Sequence, residues 1–418
     1  MSSPTGSDRR LAITHITTFY PPTSFGGDGV HVHRLAAAQA RRGHDVRVLH
    51  APRAFRLLNR VRAAESRECG RAAGVDVRAI DGQGGVLETL LVHQSGGPVL
   101  SRRRLERMIL PARPERTSVV HFHNVSLVAG LRGLSLGTGV KLYTPHEYWL
   151  VCPTHMLFRY NREICRERTC LRCVLRARRP PQLWRHTTLR DRCLSHVDRM
   201  LYPSAVTRRV YREHGVEHAG EILPHFLPDE YVAAALRRGV RDASVAAYFL
   251  YAGRLDAVKG VDTLLRYFTR EAFGAPLWLA GDGPDGKALR RRYGSHPAVR
   301  FLGHCDADTL GALYRDAVGL LMPSAGYEIF GQVVAEAFAH GTPVLVSPIG
   351  GGAGLVEASG GGAVFHSGDE LVEATARWLA DPEERDRLGR RGRQFAEREL
   401  SEAIYMSRYE GIVREVAG

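Results

Sequence analysis

Short apolar runs recur along the chain, each followed by a turn-rich loop and then a longer stretch of helical periodicity. LAITHITT (11–18), HDVRVLHA (44–51), SVVHFHN (118–124), VKLYTPHE (140–147) and DRMLYPS (198–204) read as strands. After a proline-containing crossing, ILPHFLPDEY (222–231), the pattern restarts. AYFLYAGRL (247–255), APLWLAGDGPD (275–285), AVRFLGH (298–304), VGLLMPS (318–324) and TPVLVSP (342–348) are its strands. Runs this apolar, alternating with helices such as VHVHRLAAAQARR and AVTRRVYREHG, predict parallel sheets buried on both faces. Two α/β domains are expected, 1–225 and 226–396, with 397–418 a terminal helix leaning back on the first.

One stretch breaks the apolar pattern in an informative way. In GYEIFGQVVAEAFAHG (326–341), Phe330, Val333, Val334, Ala337 and Phe338 are spaced as the buried stripe of a helix. Gln332, Glu336 and His340 form a narrow polar line beside them, and Glu328 falls in the loop ahead. A plain reading puts Glu336 in solvent and lets Glu328 complement the helix dipole. A functional reading has the helix start bind an anion, with the two glutamates holding hydroxyls beside it.

At 418 residues with 44% hydrophobic and 24% charged content, the chain has the composition of a soluble globular protein of two domains. No apolar run approaches the roughly 20 residues that span a bilayer, and the polar start MSSPTGSDRR is unlike a signal peptide. A cytoplasmic location is expected. Seven cysteines, an odd number, argue against a disulfide framework.

Charge separates the halves. Residues 1–225 carry 36 Lys+Arg against 18 Asp+Glu, whereas 226–418 carry 22 against 26. A basic first half suggests an anionic partner there. Lysine occurs three times only (Lys141, Lys259, Lys287), which draws attention to Lys259 in AGRLDAVKGVDTLL. Arg254 and Lys259 sit five apart in one turn after a strand, a spacing suited to a diphosphate, although a solvated loop has the same composition. GDGPD (281–285) is a turn at a strand end and carries little by itself.

GRLDAVKGVDTLL, GDGPD, FLGH and MPSAGYEIFGQVVAEAFAHGTPVLVS, in that order, resemble the donor half of the retaining glycosyltransferase family 4, a GT-B fold group. The E-x7-E spacing from Glu328 to Glu336 is that family's signature. In the first half the resemblance rests on FYPP…GG, GHDV, SVVHFHN and TPHE. It implies two Rossmann-like, doubly wound domains facing a central cleft. A sugar would pass from a nucleotide-sugar to a hydroxyl acceptor with retention and without a catalytic metal.

The resemblance also implies roles. Arg254 and Lys259 would neutralise the diphosphate, helped by backbone N–H groups around Phe330, Gly331, Gln332 and Val333. Glu328 would hold sugar hydroxyls and Glu336 the ribose, ~12 Å apart at helical rise. Gly26 and Gly27 would let a first-domain loop reach the phosphates. His146, in TPHE, would stand beside the reacting sugar, a structural histidine being the alternative. The departing phosphate would itself take the acceptor's proton. The chain departs from the family's pattern at Val258, where an acid is usual, in LPHFLPDEY, which lacks asparagine–glycine, and in PIGGGAGLVE, which lacks proline–glutamate.

From 159 to 192 there are eleven arginines against three acids. This insert, near 150–192, reads either as a solvated face or as a docking surface for an anionic membrane or a lipid-linked acceptor. SRRRLERMIL (101–110) is basic and apolar in the same manner. No motif supports nucleic-acid binding. Cys152, Cys165, Cys170 and Cys173, spaced C-x12-C-x4-C-x2-C, are a candidate structural zinc site, with free or reactive thiols as the alternative. Two further readings remain at this level: an epimerase or phosphorylase on the same scaffold, and a non-catalytic binder of sugar nucleotides or anionic surfaces.

Overall fold

The computed structural model describes residues 10–24, 26–58, 72–80, 85–111, 115–239, 241–242, 244–271 and 273–418. The polar start MSSPTGSDR, Phe25 and Cys69 lie outside the described residues. The first sheet has seven strands: β1 (Leu11–Thr17), β2 (Asp45–His50), β3 (Val75–Ala79), β4 (Thr117–Phe122), β5 (Val140–Tyr143), β8 (Arg199–Tyr202) and β9 (Gly220–Ile222). Between β5 and β8 lies a two-stranded antiparallel hairpin, β6 (Phe158–Arg159) and β7 (Glu163–Ile164). The second sheet holds β10 (Phe249–Ala252), β11 (Leu277–Ala280), β12 (Val299–Gly303), β13 (Gly319–Met322), β14 (Val344–Val346) and β15 (Gly362–Val364).

Strand orders are β3-β2-β1-β4-β5-β8-β9 and β12-β11-β10-β13-β14-β15, each pair parallel. Both are doubly wound, so each sheet has a crevice beyond the carboxyl ends of its central strands. Central strands β1, β10 and β13 are buried along their whole length, which explains their continuous apolar runs. β3, β9 and β15 were not read from the sequence. β3 is a half-exposed edge strand, and the other two span three residues each, too short for a periodic signal.

The helix predicted to carry Phe330 begins later, at Gln332, and runs to Ala339. Gly331, in the left-handed region at φ 97°, forms its N-cap. Phe330 is buried in the preceding loop. At the chain's end, Pro382–Glu399 forms one helix and Glu402–Ala417 another. Tyr405, Met406, Tyr409 and Val413 of the last helix pack with Leu11, Ile13, Val119 and Leu142 of the first sheet. Arg41 meets Glu402 at 2.6 Å, and Leu227 N–H donates to Leu400 at 2.8 Å, so the chain crosses between the sheets twice.

Candidate functional site

A cavity of about 450 Å³ opens where the carboxyl ends of the two sheets face each other. Loops after β1, β5, β10 and β13 supply its walls. Gly26, Gly27, His146, Arg254, Lys259, Glu328, Phe330, Gly331, Gln332 and Val333, all expected at a site from the sequence, line it. Glu336 does not. Its carboxylate accepts from Arg34 of the first domain at 3.4 Å, from Tyr314 at 3.4 Å and from Gln332 at 3.3 Å. The plain reading of Glu336 as a solvated residue is thereby corrected: the Arg34 guanidinium and two neutral donors enclose it.

On the second-domain side, Lys259 Nζ is paired with Glu328 Oε1, and Ser324 Oγ donates to the same oxygen at 2.8 Å. Burial pushes the Glu328 carboxyl up, but the Lys259 charge and the two hydrogen bonds outweigh it, and its pKa lies below the ordinary value. Arg254, half exposed, is paired with Asp256 of its own loop. Below them the helix Gln332–Ala339 starts with its first bonds from Val334 and Ala335 to Gly331 C=O, at 2.9 and 3.2 Å. The amides before these have no intrahelical acceptor, and their residues, Gln332 and Val333, line the same cavity.

Gly350 holds the Glu328 loop in place. A Cβ at Gly350, where φ is 93°, would lie 2.3 Å from the Glu328 amide nitrogen, and Gly351 N–H donates to Glu328 C=O at 2.8 Å. The glycine run in PIGGGAG is therefore required by close backbone approach. Across the cleft, Ser204 and Thr207 hydroxyls both donate to Ile329 C=O, at 2.7 and 2.8 Å, tying the loop to the first domain. Gly27 is in ordinary van der Waals reach of the helix start, its Cβ position 3.9 Å from Gln332 Cβ.

On the first-domain side, buried histidines converge. His15 bonds Gln39 Oε1 at 2.6 Å and His123 at 2.9 Å, and His123 bonds His146 at 3.0 Å. With the Gln39 oxygen assigned as acceptor, the single proton on each neutral ring is ordered along the chain. His15 Nε2–H then donates to Gln39, His123 Nε2–H to His15, and His146 Nε2–H to His123. His146 Nδ1, buried and without a hydrogen-bond partner among the described residues, is left as an acceptor. Burial lowers the pKa of His146 to about 3 and of His15 to about 4. It holds His123, with neighbouring imidazoles contributing, well below the ordinary histidine range.

Among the cavity residues given no role from the sequence are three with ionisable side chains, His225, Glu147 and Asp28. His225, in the interdomain crossing, stacks on His31 with ring centroids 3.8 Å apart. Glu147 pairs with His155 at 2.8 Å. Asp28 accepts from Gly29 N–H at 2.8 Å and Asn124 at 3.4 Å. Burial, with a further contribution from the Glu147 charge, raises the Asp28 pKa to about 6 against those hydrogen bonds. Asp28 directly follows the glycine pair Gly26–Gly27 and Glu147 ends TPHE, but a lone acid in a turn carries no local signal of burial.

The four cysteines of the insert, Cys152, Cys165, Cys170 and Cys173, line one small cavity of about 20 Å³. None is in a disulfide. Outside it, exposed Leu171, Leu175 and Leu183 stand among exposed Arg168, Arg172 and Arg176. Among the described residues no helix is long and apolar enough to cross a membrane.

Two family models match the chain: one described as glycosyl transferases group 1, over residues 236–395, and one as Glycosyltransferase Family 4, over 25–230. A D-inositol 3-phosphate glycosyltransferase of Streptomyces bingchenggensis is 32% identical over 204 residues, 44% of each chain. The chain spans less than half the length of the curated relatives it matches first. Among solved structures, sucrose-phosphate synthase from Thermosynechococcus elongatus superposes with TM-score 0.67 at 21% identity, covering 97% of this chain and 99% of that one. HepE of Anabaena, solved in complex with UDP-glucose, gives TM-score 0.62 at 16% identity, covering 96% and 99%. At these identities both likenesses speak for the two-domain GT-B fold.

Proposed function

The chain belongs to glycosyltransferase family 4, and from that premise we propose that it transfers a sugar from a nucleotide-sugar to a hydroxyl acceptor with retention of configuration. One observation carries the reading: Arg254, Lys259, Glu328, His146 and the start of the helix Gln332–Ala339 all face one cavity between the sheets. Two cations and free helix amides suit a diphosphate, and an acceptor atom on either side suits sugar hydroxyls. HepE of Anabaena, whose fold this chain shares, was solved with UDP-glucose.

In the proposed step the bond between the sugar's anomeric carbon and the diphosphate oxygen breaks, and a bond to the acceptor oxygen forms on the same face. The acceptor's proton passes to the departing phosphate. Arg254, Lys259 and the helix amides offset the charge that grows there. Glu328, held ionised by Lys259 and Ser324, accepts hydrogen bonds from the sugar, and His146 Nδ1 offers a second acceptor. Glu336, engaged by Arg34, reaches the ribose once the donor exchanges for that contact.

Asp28 and Glu147 set the acceptor side. Two carboxylates at the reacting end favour a polyhydroxylated acceptor group there, although the domain as a whole is basic. The basic face of the insert then lies away from the reaction. Its exposed leucines and arginines support peripheral contact with an anionic membrane, at ~1 kcal/mol per cation near the surface. The test is acceptor-dependent nucleotide release from UDP-, GDP-, ADP- and dTDP-sugars, with the product anomer read by NMR. Release from one donor, with the donor's anomeric configuration kept, is expected. Inversion, or release that needs no acceptor, would overturn the proposal.

A further inference from the structure

The cleft mechanism leaves the four cysteines of the insert without a task, and the chain has an elaborate local structure that brings them together. The hairpin β6–β7 pairs Phe158 with Ile164, which places Cys165 directly after it against Leu157. Leu157 joins two of the four: its C=O accepts from Cys165 N–H at 2.8 Å, and its own N–H donates to Cys152 Sγ at 3.4 Å. Tyr160, at the hairpin turn, donates to Thr169 Oγ1 at 3.0 Å, drawing in the start of the helix Cys170–Arg176. Cys170 is its first residue and Cys173 lies one turn on. All four then border the one cavity of about 20 Å³, a space of the size of a single ion or water. No three of their sulfurs lie within 4.8 Å of one another, so ligation would draw the thiols inward around the ion.

A second observation concerns charge. Arg185 lies between Trp149 and Trp184, its guanidinium carbon 5.7 and 4.5 Å from the ring centroids. Its N–H groups donate to Trp149 C=O and Gln182 Oε1, both at 2.6 Å. Among the described residues no carboxylate pairs with it. Arg185 also donates to Leu150 C=O, two residues before Cys152, at 3.4 Å, and with Cys170 it lines a neighbouring cavity. A buried guanidinium held in this way favours an anion nearby. Four neutral thiols supply none, whereas a zinc ion with four thiolates carries two negative charges.

We propose that Cys152, Cys165, Cys170 and Cys173 bind one zinc ion as thiolates, releasing their protons to solvent, and that Arg185 is the outer-sphere cation of that centre. The Leu157 N–H···Sγ bond is the kind of donor that a metal-bound thiolate accepts. The ion fastens a cleft wall. His155 and Met156, between the first two ligands, line the large cavity. Phe158 packs on the loop of the second domain, 3.3 Å from the Cβ position of Gly326.

The full chain, purified without chelator from cells grown with zinc, is expected to hold about one zinc per chain by elemental analysis. Exchange into cobalt should give the strong visible bands of tetrahedral thiolate coordination. A Cys170→Ser, Cys173→Ser double variant should lose the metal, while Cys193→Ser and Cys305→Ser keep it. Should the double variant fail to fold, the cobalt spectrum of the unaltered chain still decides. A chain free of zinc whose thiols react alike with and without chelator would overturn the proposal. So would an intact mass lowered by the two hydrogens of each disulfide.

Discussion

Lys259 and Glu328, 69 residues apart in the chain, are paired on the floor of the cleft, with Ser324 donating to the same carboxylate oxygen. The sequence reading gave them separate duties, phosphate for the lysine and sugar hydroxyl for the glutamate. The geometry joins those duties. The lysine proposed to face the diphosphate also keeps the glutamate ionised against its burial, and each is held in place by the other.

Removing the cation tests the join from one side. Lys259→Ala leaves Glu328 buried with only Ser324 to offset its desolvation, so its pKa should rise above the ordinary carboxylate value. A lost charge-assisted contact of about 1.5–3 kcal/mol weakens nucleoside diphosphate binding by roughly 10- to 100-fold. Calorimetric titration with UDP, GDP and ADP checks this, and unchanged affinity for the preferred nucleotide would remove Lys259 from the phosphate site.

Removing the anion tests it from the other. In Glu328→Gln, Lys259 loses its partner and is freer for phosphate, so affinity for the nucleotide alone should hold or tighten. Turnover should fall by on the order of 100-fold or more, as a contact at the reacting sugar is weakened. A variant that loses nucleotide binding and turnover in parallel would argue that Glu328 only supports the loop.

Gly350→Ala addresses the loop itself. The new methyl would meet the Glu328 amide nitrogen at 2.3 Å in a left-handed backbone conformation. Displacement of the Glu328 loop should lower turnover by ~10-fold or more and cost ~1–3 kcal/mol of stability. Denaturant unfolding and kinetics on the same preparation separate the two effects.

Acid should destabilise this protein early. His15, His31, His121, His123, His146 and His225 are held neutral by burial in the fold, whereas unfolded histidine protonates near pH 6.5. Below that pH the unfolded chain binds more protons, so stability falls with pH until the folded values are reached, about 4 for His15 and about 3 for His146. Each group contributes up to ~1.4 kcal/mol per pH unit within that window. Urea unfolding from pH 7.5 to 5 should show a steep loss, and a flat profile would contradict the buried neutral cluster.

On the proposed acceptor side, Asp28 carries its own pH signature. Its pKa, raised to about 6, makes the carboxylate present above that value and lost as pH falls through it. With kcat/KM measured for the acceptor, an acid limb near pH 6 is expected, and Asp28→Asn should remove the limb and lower the plateau. An unchanged limb in the variant would assign it elsewhere, with Glu147 the next group to test.

Much of the fold was legible because its central strands are buried on both faces and so read as continuous apolar runs. β3, with VDVRA half exposed at a sheet edge, gave no such run. The position of Phe330 misled in the opposite direction: its spacing fits the helical stripe, yet the left-handed Gly331 starts the helix after it. Helical rise alone placed Glu336 at the far end of the donor. Arg34, from a helix some 300 residues earlier, decides what that carboxylate touches here.

By itself the sequence determined the local matters: where apolar runs make strands, where glycines and prolines end them, and which charged groups stand at strand ends. Arg254, Lys259, Glu328 and the glycines of the turns belong to that class, since strand–loop–helix order carries them to the carboxyl edge. Only the tertiary structure decided which of the nineteen histidines join in one buried chain, that Lys259 meets Glu328, and that four cysteines border one cavity. Those relationships depend on strand order and on how two sheets face each other. They are set by the burial of whole surfaces, and no short window of sequence contains them.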